Sequence, residues 1–378
     1  MKPRELKYPC TASLVLAIAT GATAAHAADP DWMSLPYTTH AAFQAVDSSG
    51  AGTFPLDAPV RMWGTVLNRS EAMLDGTPST PGFLGAQWQI YVQATEPGDF
   101  GGTACYLGQL YGNFPFNPPE ESYSDAEWLA EVDRVTHDPD TLRLFQPGDA
   151  VEIRARAPGL FFNGKTNINE QHLKDPAFDF DVVLLEADRG LPTPTPLTLA
   201  DLKDANDDFI FDASRATGCE HYQASLVRIN GVQLTTGTWS SNSTYAITDG
   251  VRTFPILLSR GAGFDTYAPP AGTFDVVAIL DQEDGVSGGV AGYRLWVTRD
   301  YDGNGWIVGG PSGDFDADGD VDGGDYAHFA DCLAGPGAAP TPAPAVEISA
   351  CRAAFDFDMD RDVDLDDYAT FQRVRTLP

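Results

Sequence analysis

The chain has 378 residues, of which 43% are hydrophobic and 20% are charged, so it is long enough for two or three domains with buried cores. Its 54 acidic residues outnumber its 23 lysines and arginines, and the formal net charge is −31. This charge repels phosphate backbones and anionic lipid, which argues against nucleic acid or a membrane surface as a partner. The 37 Gly, 28 Pro and 21 Phe favour short strands joined by tight turns.

The N-terminus has the pattern of a secretory signal peptide. Cationic residues within the first seven positions precede an apolar stretch over 14–25, and Ala25 and Ala27 place small side chains where signal peptidase cleaves. An uncleaved anchor helix is the alternative, but the apolar stretch is shorter than the roughly 20 residues that a bilayer requires. We expect cleavage after 1–27 and a secreted, cell-surface or periplasmic protein. No later segment is long and apolar enough to predict a membrane span.

Two parts of the chain share a strand-like pattern in which β-branched and aromatic residues alternate with polar ones. The predicted strands lie at 60–66, 88–93, 151–156, 226–232, 245–248, 274–280 and 293–297. One helix interrupts the first part. It begins with a capping box formed by Ser124 and Glu127, and Trp128 and Val135 then share an apolar face up to about His137. The predicted fold class is mainly β.

The order of strands, one helix and more strands is typical of a five-stranded Greek-key barrel with its helix between the third and fourth strands. Val60-Arg61 with Gly64 is echoed by Val227-Arg228 with Gly231. By these strand and glycine patterns, residues 55–190 and 217–299 resemble the tandem OB-like modules of exported bacterial proteins. Two immunoglobulin-like β-sandwiches are the alternative architecture.

The domain organisation follows from these segments and from two linkers. Three prolines within 191–196 predict a stiff extended connection, because each proline fixes its own φ and restricts the residue before it. The predicted organisation is a signal peptide at 1–27, an N-terminal lead segment at 28–54, a first β domain at 55–190, a Pro-rich linker with a short helix at 191–216, a second β domain at 217–299, a linker at 300–311 and a C-terminal module at 312–378.

Four cysteines remain after the predicted cleavage, and an even number in an oxidising compartment favours pairing. Cys332 and Cys351 bracket one Pro-rich connection, which predicts a disulfide between them. A bridge between Cys105 and Cys219 follows only by elimination. No cysteine or histidine cluster has the spacing of a zinc site.

The C-terminal module contains two acidic segments, 314–325 and 356–367, that align over twelve residues without a gap. Oxygen ligands at positions 1, 3, 5, 7, 9 and 12 of such a loop surround Ca²⁺, because a hard cation takes six to eight oxygens. Position 7 contributes its backbone carbonyl, and position 9 can bind through a water molecule. The predicted ligands are Asp314, Asp316, Asp318, Asp320, Asp322 and Asp325 in the first loop and Asp356, Asp358, Asp360, Asp362, Asp364 and Asp367 in the second. The sequence therefore predicts two calcium sites.

Each loop continues into an aromatic helix, with Tyr326 and Phe329 matched by Tyr368 and Phe371. A disordered acidic tail is the alternative, but such a tail would not keep this register twice. Position 6 differs between the loops. The first loop has Gly319, which suits the sharp turn, whereas the second has an arginine, which requires a strained backbone or a different turn.

Paired Asp-rich loops, each followed by a helix, resemble a dockerin module over residues 312–374. The resemblance implies a calcium-dependent module that binds a cohesin-type partner, carried by modules that act on polysaccharide. Family members with such partners have hydroxyl-bearing residues at loop positions 10 and 11, where this chain has Gly323-Gly324 and Leu365-Asp366. An internal calcium staple without a partner is therefore the alternative.

Catalytic motifs are scarce in the sequence. The pattern of a nucleophile elbow (G-x-S-x-G) occurs once, at 285–289, and that of a P-loop (G-x-x-x-x-G-K-T) occurs once, at 159–166, but no helix is predicted directly after either. Neither match therefore indicates a serine hydrolase or a nucleotide cofactor, and no dinucleotide glycine motif is present. The mature histidines are scattered and are interpreted as surface or capping residues. Phe161-Phe162, which precede an Asn-Gly turn, are the best candidates for an exposed aromatic platform that stacks sugars or bases.

These observations favour an exported, non-catalytic binding or assembly protein. The alternative is an extracellular polysaccharide-degrading enzyme, of the glycoside hydrolase type, that carries a dockerin. Such an enzyme needs two carboxylates that face each other across a cleft, and a chain this acidic does not single out a pair. A third alternative is a matrix component that uses calcium only for rigidity.

Overall fold

The computed structural model describes residues 30–70, 87–235, 243–258, 273–285, 288–297, 307–308, 313, 315, 321–336, 338–342, 346, 348–357 and 362–375, and these residues are mainly β. The strands are β1 (Val60–Val66), β2 (Gln87–Gln93), β3 (Gly102–Gly108), β4 (Ala150–Ala155), β5 (Leu160–Phe162), β6 (Lys165–Asn167), β7 (Phe180–Glu186), β8 (Thr195–Leu197), β9 (Leu226–Leu234), β10 (Thr244–Thr248), β11 (Thr253–Leu258), β12 (Phe274–Gln282), β13 (Tyr293–Val297) and β14 (Ile307–Val308). The helices are α1 (His40–Phe43), α2 (Asp125–Thr136), α3 (Leu199–Leu202), α4 (Gly218–His221), α5 (Gly323–Cys332), α6 (Ile348–Phe355) and α7 (Leu365–Val374).

The first β unit, residues 30–190, is built on an antiparallel sheet with the strand order β3-β2-β1-β4-β7. Helix α2 lies between β3 and β4 in the chain and begins with the capping box of Ser124 and Glu127, as the sequence predicts. Its Trp128 packs into a core that includes Trp88 of β2 and Ile153 of β4. On the edge of β3 opposite β2, Ile168 makes a parallel bridge to Cys105. The predicted helix position is therefore correct.

The second β unit, residues 191–297, contains a ring of five strands. The pairs β9 with β10, β10 with β11, β12 with β13 and β12 with β9 are antiparallel, and the pair β11 with β13 is parallel. Because each strand of this ring is paired on both sides, the second unit is a closed barrel and not a sandwich. Its core includes Val227, Ile256 and Leu295.

Both predicted linkers contain strand residues. Strand β8, within the Pro-rich 191–216 segment, pairs in parallel with β9, and Leu197, Leu199 and Leu202 are buried in the core of the second unit. Strand β14, within the 300–311 segment, pairs with the start of β12. Both segments that the sequence predicts as linkers therefore also contribute backbone groups to the sheet of the second unit.

The lead segment belongs to the first unit. Asp99 accepts hydrogen bonds from the backbone N–H groups of His40 (2.9 Å) and Ala41 (3.0 Å), which fixes the start of α1. The His40 ring is fully buried, with one nitrogen 2.9 Å from the hydroxyl of Thr103. His172 is also buried. The interpretation of these two histidines as surface or capping residues is therefore wrong, whereas His137 does cap the C-terminus of α2.

The hairpin of β5 and β6 connects the two units. Its turn at Asn163 and Gly164, both with positive φ, packs against the second unit, where the Asn163 side-chain amide donates to Glu283 (2.5 Å). Phe161 and Phe162 are half-buried as a result. The prediction that these two rings form an exposed platform is wrong, because residues far away in the sequence cover the turn.

The cysteines divide between a bridge and two thiols. Cys332 and Cys351 form a disulfide, as predicted. Cys105 and Cys219 are free and buried, so the bridge proposed by elimination is wrong. The two thiols lie in the separate cores of the first and second units, and each packs there as a small apolar side chain.

The predicted signal peptide at 1–27 lies outside the described residues. Within the part of the chain that the structure describes, no helix combines the length and the apolar character that a membrane crossing requires.

Candidate metal centre

The C-terminal module begins its two loop helices in the same way. Asp322 is the N-cap of α5 and Asp364 is the N-cap of α7, and each side chain accepts a hydrogen bond from the backbone N–H two residues later. A second aspartate, three residues after each N-cap, completes a capping box. The sequence therefore sets both helix starts locally, through one aspartate at loop position 9 and another at position 12.

The aspartate at position 12 closes each loop with the same pair of hydrogen bonds. Asp325 accepts from the backbone N–H of Phe315 (2.6 Å) and of Asp322 (2.8 Å). Asp367 accepts from the corresponding N–H groups of Phe357 (2.6 Å) and Asp364 (2.8 Å). Both carboxylates are fully buried. The sequence duplication is thus also a duplication of geometry.

The second loop brings three carboxylates together. Asp362, Asp364 and Asp367 are buried, and one oxygen from each lies within 4.8 Å of the others. Oxygen donors in this arrangement suit a hard divalent cation, and the mutual repulsion of three buried carboxylates falls when a cation lies between them. Asp362 was expected to contribute only its backbone carbonyl, but its side chain is part of the cluster. These three carboxylates could therefore hold a metal ion.

The other predicted ligands divide into two groups. Asp356, at position 1 of the second loop, is buried, whereas Asp322, at position 9 of the first, is exposed. The remaining ligands, Asp314, Asp316, Asp318, Asp320, Asp358 and Asp360, lie outside the described residues. Among the residues that the structure describes, a group of three carboxylates forms in the second loop, which is the loop whose position 6 departs from glycine.

The two halves of the module pack around aromatic rings. Phe329 of α5 stacks on Phe371 of α7 with their ring centroids 5.1 Å apart. Val321 and Val363, at position 8 of the two loops, are buried in the same cluster. The Cys332–Cys351 disulfide joins α5 to α6, with 5.4 Å between the Cα atoms. This core packs α5, α6 and α7 against one another.

Two buried carboxyl groups outside the module carry strongly shifted pKa values that the sequence does not signal. Burial raises the pKa of Glu170 to about 8 and that of Glu220 to about 7. Each accepts a hydrogen bond from a tyrosine hydroxyl, Tyr123 for Glu170 (2.6 Å) and Tyr293 for Glu220 (2.5 Å). Both glutamates are fully buried. Both carboxyl groups therefore lie in the interior of the β units.

Comparisons with known proteins do not identify a family for this chain. No protein-family model matches the chain, and no curated protein matches it. Chains of solved structures do match, each at 12% identity. One, described as structural mimicry for functional antagonism, is matched over 65% of this chain and 91% of that chain with a TM-score of 0.24.

Two further matches come from structures with DNA. A murine DNA-binding protein bound to double-stranded DNA is matched over 62% of this chain and 92% of that chain, with a TM-score of 0.24. A chain of a replication protein A heterotrimer bound to single-stranded DNA is matched over 63% of this chain and 49% of that chain, with a TM-score of 0.27. Likeness at these TM-scores supports neither a shared fold nor a shared function.

Proposed function

We propose that the protein is an exported, non-catalytic binding and assembly component whose C-terminal dockerin-like module binds two Ca²⁺ ions and docks to a cohesin-type partner. The observation that carries the proposal is the repeated closure of the two loops by Asp325 and Asp367. A helix whose N-cap and first-turn aspartates also belong to a twelve-residue acidic loop is what a calcium-binding loop-helix unit requires.

The two β units are, in this proposal, OB-like modules in tandem. The ring of the second unit supports this, because its first strand pairs with its second and fourth, and its third pairs in parallel with its fifth. That is the connectivity of a five-stranded Greek-key barrel. In the first unit, helix α2 between β3 and β4 and the parallel bridge from Ile168 to β3 support the same arrangement.

Calcium would act on the module by neutralising carboxylates that otherwise repel one another. In the second loop, Asp362, Asp364 and Asp367 would hold the ion. Because the ligands converge only in the folded module, binding energy becomes folding energy. A position-12 aspartate in place of glutamate calls for an affinity in the weaker part of the calcium range, on the order of micromolar to millimolar.

A calcium titration of the full mature chain by isothermal calorimetry tests the proposal. Asp364→Asn is the informative variant, because asparagine caps a helix as well as aspartate does but removes one charge from the cluster. Asp366→Asn is the matched control, since its side chain is exposed and lies outside the cluster. We expect two sites in the wild type, at least tenfold weaker binding at one of them in Asp364→Asn, and wild-type binding in Asp366→Asn. No heat at millimolar Ca²⁺ would refute the calcium function.

The docking function requires a separate experiment. The full mature chain is titrated with purified cohesin-type domains in calcium and again after EDTA. We expect binding in calcium alone. Calcium binding without association with any cohesin-type domain would instead support an internal staple, in which the ions only stiffen the module.

A further inference from the structure

One aromatic ring of the first β unit is both exposed and held in place. Phe116 is 63% exposed, yet its ring lies parallel to that of Phe114, with 5.3 Å between the centroids and an interplanar angle of 9°. Phe114 stacks in turn on the buried ring of His172 at 4.7 Å and 7°. A single exposed apolar residue is ordinary on a protein surface. An exposed ring at the outer end of a column of stacked rings is not ordinary in this sense, and its position requires an explanation.

Backbone hydrogen bonds and prolines constrain the loop that carries Phe116. The backbone N–H of Tyr123 donates to Gln109 (2.9 Å), so the ends of the loop meet, as in a compact Ω-type loop. At its tip, the N–H of Asn117 donates to the carbonyl of Phe114 (3.0 Å), which makes a β-turn with Pro115 and Phe116 at its centre. Two more prolines, at 118 and 119, follow directly. These bonds and prolines limit the motion of the backbone on both sides of Phe116.

A side-chain amide fixes this tip to the body of the unit. The Asn117 amide donates to the backbone carbonyls of His172 (2.6 Å) and Tyr111 (3.1 Å). The ring of Tyr111 also stacks on His172, at 5.1 Å. Phe116 is therefore presented in one orientation before any ligand arrives, so binding would not have to order it.

The charges around the loop decide which ligand this ring can take. The sequence from 70 to 133 contains neither lysine nor arginine, and Glu120 on the same loop is exposed. Lys174, which approaches the loop, is engaged by Glu127 at 2.7 Å. Burial also lowers the pKa of His172 to about 4, so its ring is neutral at neutral pH. Among the described residues, Lys174 is thus the cation at this loop and it is already paired, so a polyanion would be repelled by the carboxylates.

We propose that Phe116 is the stacking platform of a binding subsite for neutral polysaccharide. A pyranose ring offers an apolar C–H face, which packs on the exposed phenyl ring, and hydroxyl groups at its edge. Glu120 and the exposed Asn113, on the same loop, can accept hydrogen bonds from such hydroxyls. The inference rests on the non-catalytic binding function proposed above, assigns it a ligand class in the first β unit, and is independent of the calcium module.

Native affinity electrophoresis of the full mature chain tests the subsite, in gels that contain a soluble neutral glucan, xylan or mannan. We expect at least one polysaccharide to retard the wild type and Phe116→Ala to weaken that retardation at least tenfold. Phe116→Trp keeps an aromatic face and should bind like the wild type. Leu129→Ala is the matched control, because Leu129 is 54% exposed on α2 but belongs to no ring column.

Three outcomes would overturn the inference. They are the absence of retardation in all three gels, equal retardation of Phe116→Ala and the wild type, and Phe116-dependent binding of a polyuronate or an oligonucleotide in place of a neutral polysaccharide. EDTA in the gel separates the two proposals, since the subsite should bind without calcium. If retardation persists in EDTA and calorimetry detects no calcium binding, only the proposed calcium function is refuted.

Discussion

Lys165 and Asp281 form a buried ion pair that joins the two β units. The ammonium nitrogen of Lys165, in the β5–β6 hairpin, lies 2.5 Å from a carboxylate oxygen of Asp281 in β12. The other oxygen of Asp281 accepts a hydrogen bond from the guanidinium of Arg294 (2.9 Å). Burial raises the pKa of the Asp281 carboxyl, but the two cations outweigh it, and this pKa falls below its ordinary value. The charge of Asp281 is therefore compensated from both units.

Lys165→Met should destabilise the tandem β units. It removes one cation from a fully buried carboxylate, and breaking a buried pair in this way costs about 3–5 kcal/mol. The remaining bond from Arg294 favours the lower end of that range. Urea unfolding followed by tryptophan fluorescence measures the change. Lys174→Met is the control, because its partner Glu127 is 47% exposed and such a pair is worth about 0–1 kcal/mol. An equal loss of unfolding free energy in the two variants would contradict a special role for the buried pair.

Glu170 should make the stability of the first unit depend on pH. Its pKa is about 8 in the folded chain and near 4.5 when unfolded, so the folded state holds one more proton between these values. The contribution of Glu170 is fully present below pH 4.5 and is lost as the pH rises through 8. Glu170→Gln keeps the size of the side chain and cannot ionise. Urea midpoints at several pH values should therefore fall less steeply between pH 5 and 8 in this variant than in the wild type.

Glu127 provides a control, because its pKa is shifted in the opposite direction from that of Glu170. The Lys174 ammonium and the hydrogen bonds of the Ser124 capping box lower its pKa to about 2. A lowered pKa stabilises the folded state above pH 4.5, and this stability is lost as the pH falls toward 2. Glu127→Gln should therefore leave the slope between pH 5 and 8 unchanged. If both substitutions changed the pH dependence of the urea midpoint equally, Glu170 would not be the source of that dependence.

The sequence predicted the elements whose signals are local. The capping box of Ser124 and Glu127 marks the start of α2 without any tertiary information, and the two acidic loops repeat the same start. Strand β3 was missed because its residues are almost all buried and so do not alternate. Strand β11 contains Pro255, which ordinarily demotes a strand, and one of its two partners, β13, comes from a distant part of the chain.

The exposure of aromatic rings could not be predicted, because it depends on contacts between distant residues. The Asn163-Gly164 turn is a strong hairpin signal, but Gln282 and Glu283 of the second unit cover it. Phe116 is exposed because its column of rings ends at the surface. That column includes His172, which lies more than fifty residues further along the chain. Composition identified aromatic rings as candidates, and only packing decided which ring remains accessible.

The Cys332–Cys351 disulfide should stabilise the C-terminal module. It closes a loop with a sequence separation of 19 residues, which corresponds to about 3 kcal/mol of lost unfolded-state entropy. The double variant Cys332→Ser/Cys351→Ser should therefore bind calcium more weakly, because more of the binding energy is spent on folding. Alkylation of the denatured, unreduced mature chain should label Cys105 and Cys219 alone. Mass spectrometry that finds no labelled cysteine would contradict the assignment of these two residues as free thiols.

Calcium removal should destabilise the module and leave the β units unchanged. The candidate ligands lie in the C-terminal loops, whereas the cores of the β units consist of residues before 298. A calcium concentration of 100 times the dissociation constant stabilises a one-site fold by about 2.7 kcal/mol. Calorimetry of the full mature chain should show one transition that moves to lower temperature in EDTA and another that does not move. Lys165→Met should move only the second of these. If EDTA lowered the Lys165-sensitive transition as well, the ions would have to act on the β units, and the C-terminal loops could not be their only sites.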